Sequence, residues 1–277
     1  MYALYIVATP IGNLEDITLR ALRVLGEVGL IAAEDTRKTR RLLSHYGIKT
    51  PLTSYYEHNK QSKLPLLLEN LQRHDVALVS EAGTPGVSDP GYEIVVAAIQ
   101  QGIPVVPVPG PSAIIAALVV SGLPTNRFVY LGFLPRKRSE RVRVLTSFEG
   151  ERHTLVAFEA PHRLVESLMD VASVLGDRRI AVVREATKIH EEVFRGKITE
   201  AMAHFSSPRG EYTLVIDGKG EPEKPEPPSD LEGQIRRLQT QQVTAKQAMD
   251  ILARTGLSRK ELYRLWLRIK RSDQAPL

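Results

Sequence analysis

The chain has 277 residues, 43% hydrophobic and 25% charged, with no cysteine and a net charge of +5. That is a globular composition with length enough for two domains that each bury a core, and no stretch approaches the ~20 apolar residues of a membrane span. Lack of cysteine excludes disulfides, thiolate metal sites and thiol nucleophiles, and makes the cytoplasm the expected compartment.

Residues 1–8 carry no basic leader and read as a first strand rather than a signal peptide. Strands are expected at Tyr2–Ala8, Gly29–Ala33, Val76–Ser80 and Val105–Val108, where apolar residues run together. Amphipathic helices are expected between and after them, at Leu19–Val28, Thr39–Tyr46, Ser62–Arg73, Tyr92–Gln101 and Ser112–Ser121. This alternation predicts an α/β fold with a mainly parallel sheet. Turn residues at Leu123-Pro124-Thr125-Asn126 close this first domain, 1–123. A second α/β domain, 124–218, is predicted from strands at Phe128–Gly132, Thr154–Phe158, Ile180–Val183, Glu192–Arg195 and Glu211–Asp217. Its helices are expected at Leu164–Leu175 and Thr199–Phe205. Residues 219–230 are rich in Pro, Glu and Lys and read as a semi-extended linker.

The remainder, 231–277, reads as a basic helical tail. Leu231, Ile235 and Leu238 share a helix face; Thr244 with Gln247, and Ser258 with Glu261, each fit a capping box; Gly256 stands where a left-handed cap is wanted. Ten of the 37 Lys and Arg but only five of the 32 Asp and Glu lie beyond residue 228, so the whole positive excess sits in the last fifth of the chain. Two short helices joined by a glycine turn, with Arg259, Lys260 and Arg264 on the second, fit a helix-turn-helix for a polyanion. A helical hairpin with a solvated basic face fits them equally well.

Three Gly/Pro-rich loops follow strands of the first domain: Thr9–Leu14, Glu81–Gly91 and Pro107–Ala113. Ligands of open α/β sheets bind beyond the carboxyl ends of strands, where glycine allows close backbone approach and proline fixes loop shape. Turn-making alone does not account for an eleven-residue loop with three glycines and two prolines, so a pocket is expected here. No G-x-G-x-x-G or G-x-x-x-x-G-K-[ST] signature follows a strand, and no histidine pair has metal-ligand spacing, so no metal site is expected. His162 reads as a cap for the Leu164 helix ahead of a base-stacking ring.

Several of these segments together carry a family resemblance. LYIVATPIGNLEDIT (4–18), AEDTR (33–37), SEAGTPGVSDPG (80–91), PVPGPSA (107–113), GFLPRK (132–137), FEAPHR (158–163), REATK (184–188) and RGEYTL (209–214) resemble, in order and over nearly the whole chain, the bacterial small-subunit rRNA cytidine 2′-O-methyltransferases of the tetrapyrrole methylase superfamily. The resemblance implies two α/β domains with S-adenosyl-L-methionine in the cleft between them, a homodimer, and a cytidine ribose of 16S rRNA in the 30S subunit as substrate. Carried over by position, it implies cofactor contacts at Pro10, Gly83, Thr84, Val87, Ser112 and Ala113, with Glu159 and Ala186 on the far wall. Thr84 stands where the superfamily has an aspartate, which suits the ribosomal branch better than a tetrapyrrole substrate.

The ribose hydroxyl must lose a proton, and Glu34, Asp35, Glu81, Asp89, Glu185 and Lys188 are candidates for that task. Asp35 and Glu81 are the expected catalytic residues; a structural cap or a pairing with Arg37 is the competing role. RNA contacts are expected from Arg136, Lys137 and Arg138 with nearby Arg141 and Arg143, from Arg37, Lys38, Arg40 and Arg41, and from the tail. A precorrin-type methylase and a non-catalytic ribosome assembly factor are the alternative functions.

Overall fold

The computed structural model describes residues 2–220, 230–241, 243–255 and 257–272. The chain forms two compact units, Met1–Lys219 and Gly220–Leu277.

The first unit contains two sheets. Strands β1 (Leu4–Val7), β2 (Leu30–Ala33), β3 (Leu52–Ser54), β4 (Val76–Val79) and β5 (Val105–Val108) lie parallel in the order β3-β2-β4-β1-β5. Successive strand residues enter opposite cores, as the two-residue period requires. Ile31, Ala33, Ala77 and Val79 meet Val24 and Leu25 of α1 (Leu19–Glu27) and Leu43 of α2 (Thr36–His45). Ala32, Val76 and Leu78 meet Leu67 of α3 (Lys60–Asn70) and Ile94 and Ala98 of α4 (Tyr92–Gln100). Burial on both faces explains why these strands are continuous apolar runs.

The second sheet has the order β6-β7-β10-β8-β9, from β6 (Phe128–Phe133), β7 (Thr154–Glu159), β8 (Arg179–Arg184), β9 (Glu192–Lys197) and β10 (Tyr212–Ile216). Only β6 and β7 pair in parallel; the other pairs are antiparallel. Helices α6 (Arg138–Ser147), α7 (Leu164–Leu175) and α8 (Ile198–His204) cover one face. The other face is covered by α5 (Ala113–Val120), whose Ile114, Ala117 and Leu118 are buried with Val156, Ala181, Val183 and Val215. Thus α5 follows β5 in the chain but packs on the second sheet. The turn at Leu123–Asn126 lies between α5 and β6.

The elements β3 and α6 depart from the sequence expectation. β3 is three residues long and has no alternation to reveal it. In α6 the apolar residues Val142, Val144 and Leu145 form no helical stripe, because an arginine occupies the innermost position. Arg141 is 1% exposed; its Nη2 lies 2.7 Å from Asp170 Oδ2 and its Nε donates to the same oxygen at 2.8 Å. The expectation that Arg141 touches RNA is therefore corrected: its charge is consumed inside the protein.

In the second unit three helices, α9 (Leu231–Thr240), α10 (Ala245–Ile251) and α11 (Arg259–Ser272), share a core of Ile235, Ala248, Met249, Leu262, Trp266 and Ile269. Both capping boxes form. Thr244 and Gln247 close reciprocally, and the Ser258 amide donates to Glu261 Oε2 at 2.7 Å while Ser258 Oγ accepts from the Glu261 amide at 3.3 Å. The expected Gly256 cap and the linker stretch 221–229 lie outside the described residues.

Candidate active site

The loops leaving the adjacent strands β1 and β4 lead to helices on opposite faces, α1 on one and α4 on the other. Such a divergence leaves a crevice at the strand carboxyl ends. The two loops are tied by a reciprocal pair of backbone hydrogen bonds between Thr9 and Gly83, both 2.9 Å.

A cavity of about 600 Å³ occupies this crevice. Ile11, Gly83, Thr84, Val87, Ser112 and Ala113 line it from the first-sheet loops and the start of α5. Phe133, Phe158, Ala160, Tyr212 and Thr213 line it from the ends of β6, β7 and β10. Glu34, Glu81 and Asp89 add carboxylates. Two contacts bridge the sides. Ser88 Oγ and the Tyr130 hydroxyl share a 2.6 Å hydrogen bond, and the Asn13 amide donates to Thr187 Oγ1 at 3.2 Å. The second depends on Gly12, because a Cβ there would stand 2.3 Å from Lys188 Cγ. Among the described residues, three non-glycine residues adopt left-handed φ: Ser88 (65°) in the cavity lining, and Glu185 (51°) and Thr187 (67°) in the loop after β8. Each costs on the order of 1–3 kcal/mol, and such strain gathers where function fixes the backbone.

The expected residues divide clearly. Gly83, Thr84, Val87, Ser112, Ala113, Glu81 and Glu159 are among the lining residues. Pro10 immediately precedes the lining residue Ile11, and Ala186 packs against the core between α5 and the second sheet; neither lines the cavity. The Glu159 carboxylate is fully engaged: it sits 2.5 Å from Arg163 Nη2, accepts from the Ala160 amide at 2.7 Å, and accepts the Ser167 hydroxyl. Asp35 is outside the lining. It caps α2 by accepting from the Arg37 and Lys38 amides, and the Arg37 amide foremost holds its carboxyl below the usual range. Glu81 pairs with Lys38, and its amide donates to Glu34 Oε2 at 3.0 Å. Asp89 differs: burial, then the Glu34 charge and more weakly that of Glu81, push it up to about 7, against the Ser80 hydroxyl hydrogen bond that lowers it. Lys188 is held by Glu185 Oε1 at 3.0 Å and Glu211 Oε2 at 2.9 Å, while Glu185 itself also accepts the Glu211 amide. His162 belongs to a 3₁₀ turn at Pro161–Arg163, and Arg163, the N-cap of α7, makes no side-chain cap bond, so the expected His162 cap does not form.

The cations fall in three places. Arg37, Arg40 and Arg41 with His45 line an open depression along α2. Arg136 and Lys137 are exposed just beyond β6, and Arg138 pairs with Asp170 Oδ1 at 2.9 Å. On α11, Arg259 pairs with Asp250, while Lys260 and Arg264 are exposed beside the half-exposed Tyr263. Sequence reasoning ranked Asp89 behind Asp35 and Glu81, and missed Phe133 and the Ser88–Tyr130 bridge. An aromatic after a strand glycine, in Gly132-Phe133, was the available signal.

Residues 3–202 match the family described as Tetrapyrrole (Corrin/Porphyrin) Methylases. The chain belongs to this family. It is 46% identical over 276 residues to the "Ribosomal RNA small subunit methyltransferase I" of Synechocystis sp., covering 98% of this chain and 99% of the relative. The protein of the same name from Thermotoga maritima is 50% identical over 225 residues, covering 79% of this chain and 100% of the relative. That relative therefore leaves about a fifth of this chain unmatched, the size of the C-terminal unit. Among solved structures, the uroporphyrin-III C-methyl transferase from Thermus thermophilus complexed with S-adenyl homocysteine superposes with a TM-score of 0.57 at 22% identity, covering 78% of this chain and 97% of that one.

Proposed function

We propose that the cleft transfers a methyl group from S-adenosyl-L-methionine to the 2′-hydroxyl of a cytidine in 16S rRNA of the small ribosomal subunit. The methyltransferase class and the methyl donor rest on family membership; the rRNA substrate rests on relatives of that name matching nearly end to end. The choice of a ribose hydroxyl is carried by the place of Asp89, a half-buried carboxylate in the cavity lining whose pKa burial and the Glu34 charge push up to about 7.

The residues present suit the donor. The cavity has largely apolar walls, loop backbone at Gly83 and Thr84, and lining carboxylates, Glu34 and Glu81 among them, that favour a cation such as a sulfonium. When bound, S-adenosyl-L-methionine supplies a methyl group activated on its sulfonium. Gly83, Thr84, Val87, Ser112 and Ala113 hold the donor along the first-sheet side, backed by Pro10, with Glu159 and Ala186 on the second-sheet side. Holding donor and acceptor in line can lower a barrier by about 7–11 kcal/mol. Asp89 takes the ribose proton on its carboxylate oxygen, a role taken here from Asp35 and Glu81 because a base near neutrality is both ionised and basic at working pH. Arg37, Arg136, Lys137, Lys260 and Arg264 contact phosphates. The same proposal includes a homodimer acting in the cytoplasm: Ile115 and Val119, four residues apart on the exposed side of α5, are apolar surface that a second copy would cover.

The decisive experiment is radiolabelled methyl transfer to 30S subunits lacking native modification, followed by nuclease digestion and nucleoside mass spectrometry. Appearance of 2′-O-methylcytidine supports the proposal. Donor binding with no transfer to subunits or free rRNA refutes it, and transfer to a tetrapyrrole instead would favour the precorrin-type reading.

A further inference from the structure

Phe133 is an exposed aromatic ring in the cavity lining that the chemistry above does not use. It is 56% exposed and stands at the end of β6, where the pairing with β7 shifts register between Tyr130 and Phe133. Gly132 makes the shift with φ +69°. A bulge next to a site re-aims a side chain. Here it leaves Leu134 buried while Phe133 faces outward, against the Phe158 ring at a centroid distance of 5.3 Å. The segment that follows is held rigidly. Arg163 Nη1 donates to the Leu134 carbonyl at 3.0 Å, and Arg141 Nη1 donates to the Pro135 and Arg136 carbonyls at 3.2 and 3.3 Å. These two guanidinium groups are fixed by the buried carboxylates of Glu159 and Asp170. Three successive carbonyls are thus clamped from inside, while Phe133, Arg136 and Lys137 are presented outside.

We propose that Phe133 is the stacking platform for the target nucleobase, with Arg136 and Lys137 taking the adjoining phosphates. Every base offers a π-face, and aromatic rings interleaved with cations are how proteins hold single strands. The methyl donor carries no phosphate, so cations beside the ring point to the RNA and not to the adenine of the donor. A preformed platform suits a nucleotide turned out of its helix, because the ordering cost has already been met on the protein side.

This inference rests on the rRNA reading, and the test separates the two. Wild type, Phe133→Ala and Phe133→Trp are assayed on unmethylated 30S subunits, and S-adenosylhomocysteine binding is measured by calorimetry. Because the ring is exposed, the variants are expected to fold. Phe133→Ala should raise KM for the subunit by about 5- to 160-fold, the measured range for one stacked base, with unchanged S-adenosylhomocysteine affinity and recovery in Phe133→Trp. An unchanged KM overturns the stacking role. Weakened S-adenosylhomocysteine binding with an unchanged KM overturns it too, by making Phe133 a donor contact. Wild type without turnover on subunits overturns the rRNA reading, and this inference with it.

Discussion

Replacing Asp89 by Asn removes the base while preserving size and most polarity. Asp89 is driven up to about 7 by burial and by Glu34, with Glu81 a weaker contributor. With such a pKa, wild type should have about one-tenth of this carboxyl ionised at pH 6 and about nine-tenths at pH 8, so its methyl-transfer rate should rise about ten-fold across that interval. Asp89→Asn should lower the rate by about 10²–10⁴-fold, the usual contribution of a general base, and abolish the rise. Single-turnover methylation of unmethylated 30S subunits at saturating donor isolates the chemical step from product release. S-adenosylhomocysteine binding checks that the cavity is intact. An Asn variant that keeps the wild-type rate, or that is slow but keeps the same acidic limb, would refute the reasoning and return the base to Glu81 or Glu34.

Three further outcomes follow from the same geometry. Asp170→Asn strips the main partner from Arg141, whose own side chain is 1% exposed, and should cost about 3–5 kcal/mol in urea unfolding; a loss below about 1 kcal/mol would mean that Glu166, whose Oε2 lies 3.9 Å from Arg141 Nη2, or water compensates. Between the ordinary aspartate value and about 7 the folded protein keeps on Asp89 a proton that the unfolded chain has released, so this group lowers stability as pH rises through that window. The stability of Asp89→Asn relative to wild type should accordingly increase from pH 4 to 7, and a pH-independent difference would contradict the raised pKa. A chain ending at residue 220 should still transfer methyl groups, but with a shallower salt dependence of subunit binding, since Lys260 and Arg264 are gone; an unchanged slope would show that the tail makes no phosphate contact.

Much of the fold is legible because local patterns and burial agree. The apolar runs of β1, β2 and β4, packed on both faces, announce a parallel sheet, and the Gly/Pro loops after β1, β4 and β5 announce the cavity. What stays hidden depends on partners remote in sequence. Nothing around Arg141 indicates that Asp170, 29 residues on, would draw it inward, so a basic run reads as surface. Asp89 is set apart from Asp35 by Glu34, which lies 55 positions away, and by burial that no local pattern reports. Asp35, by contrast, shows its capping role locally, as an acid immediately before a helix.

The way α5 is placed has a mechanical side. The helix leaves the first sheet yet buries Ile114, Ala117 and Leu118 against the second, and its first turn forms part of the cavity wall. Its packing on β7, β8 and β10 makes α5 part of the second sheet's body, so any change in the width of the slot falls on the short segment 109–112 that joins it to β5.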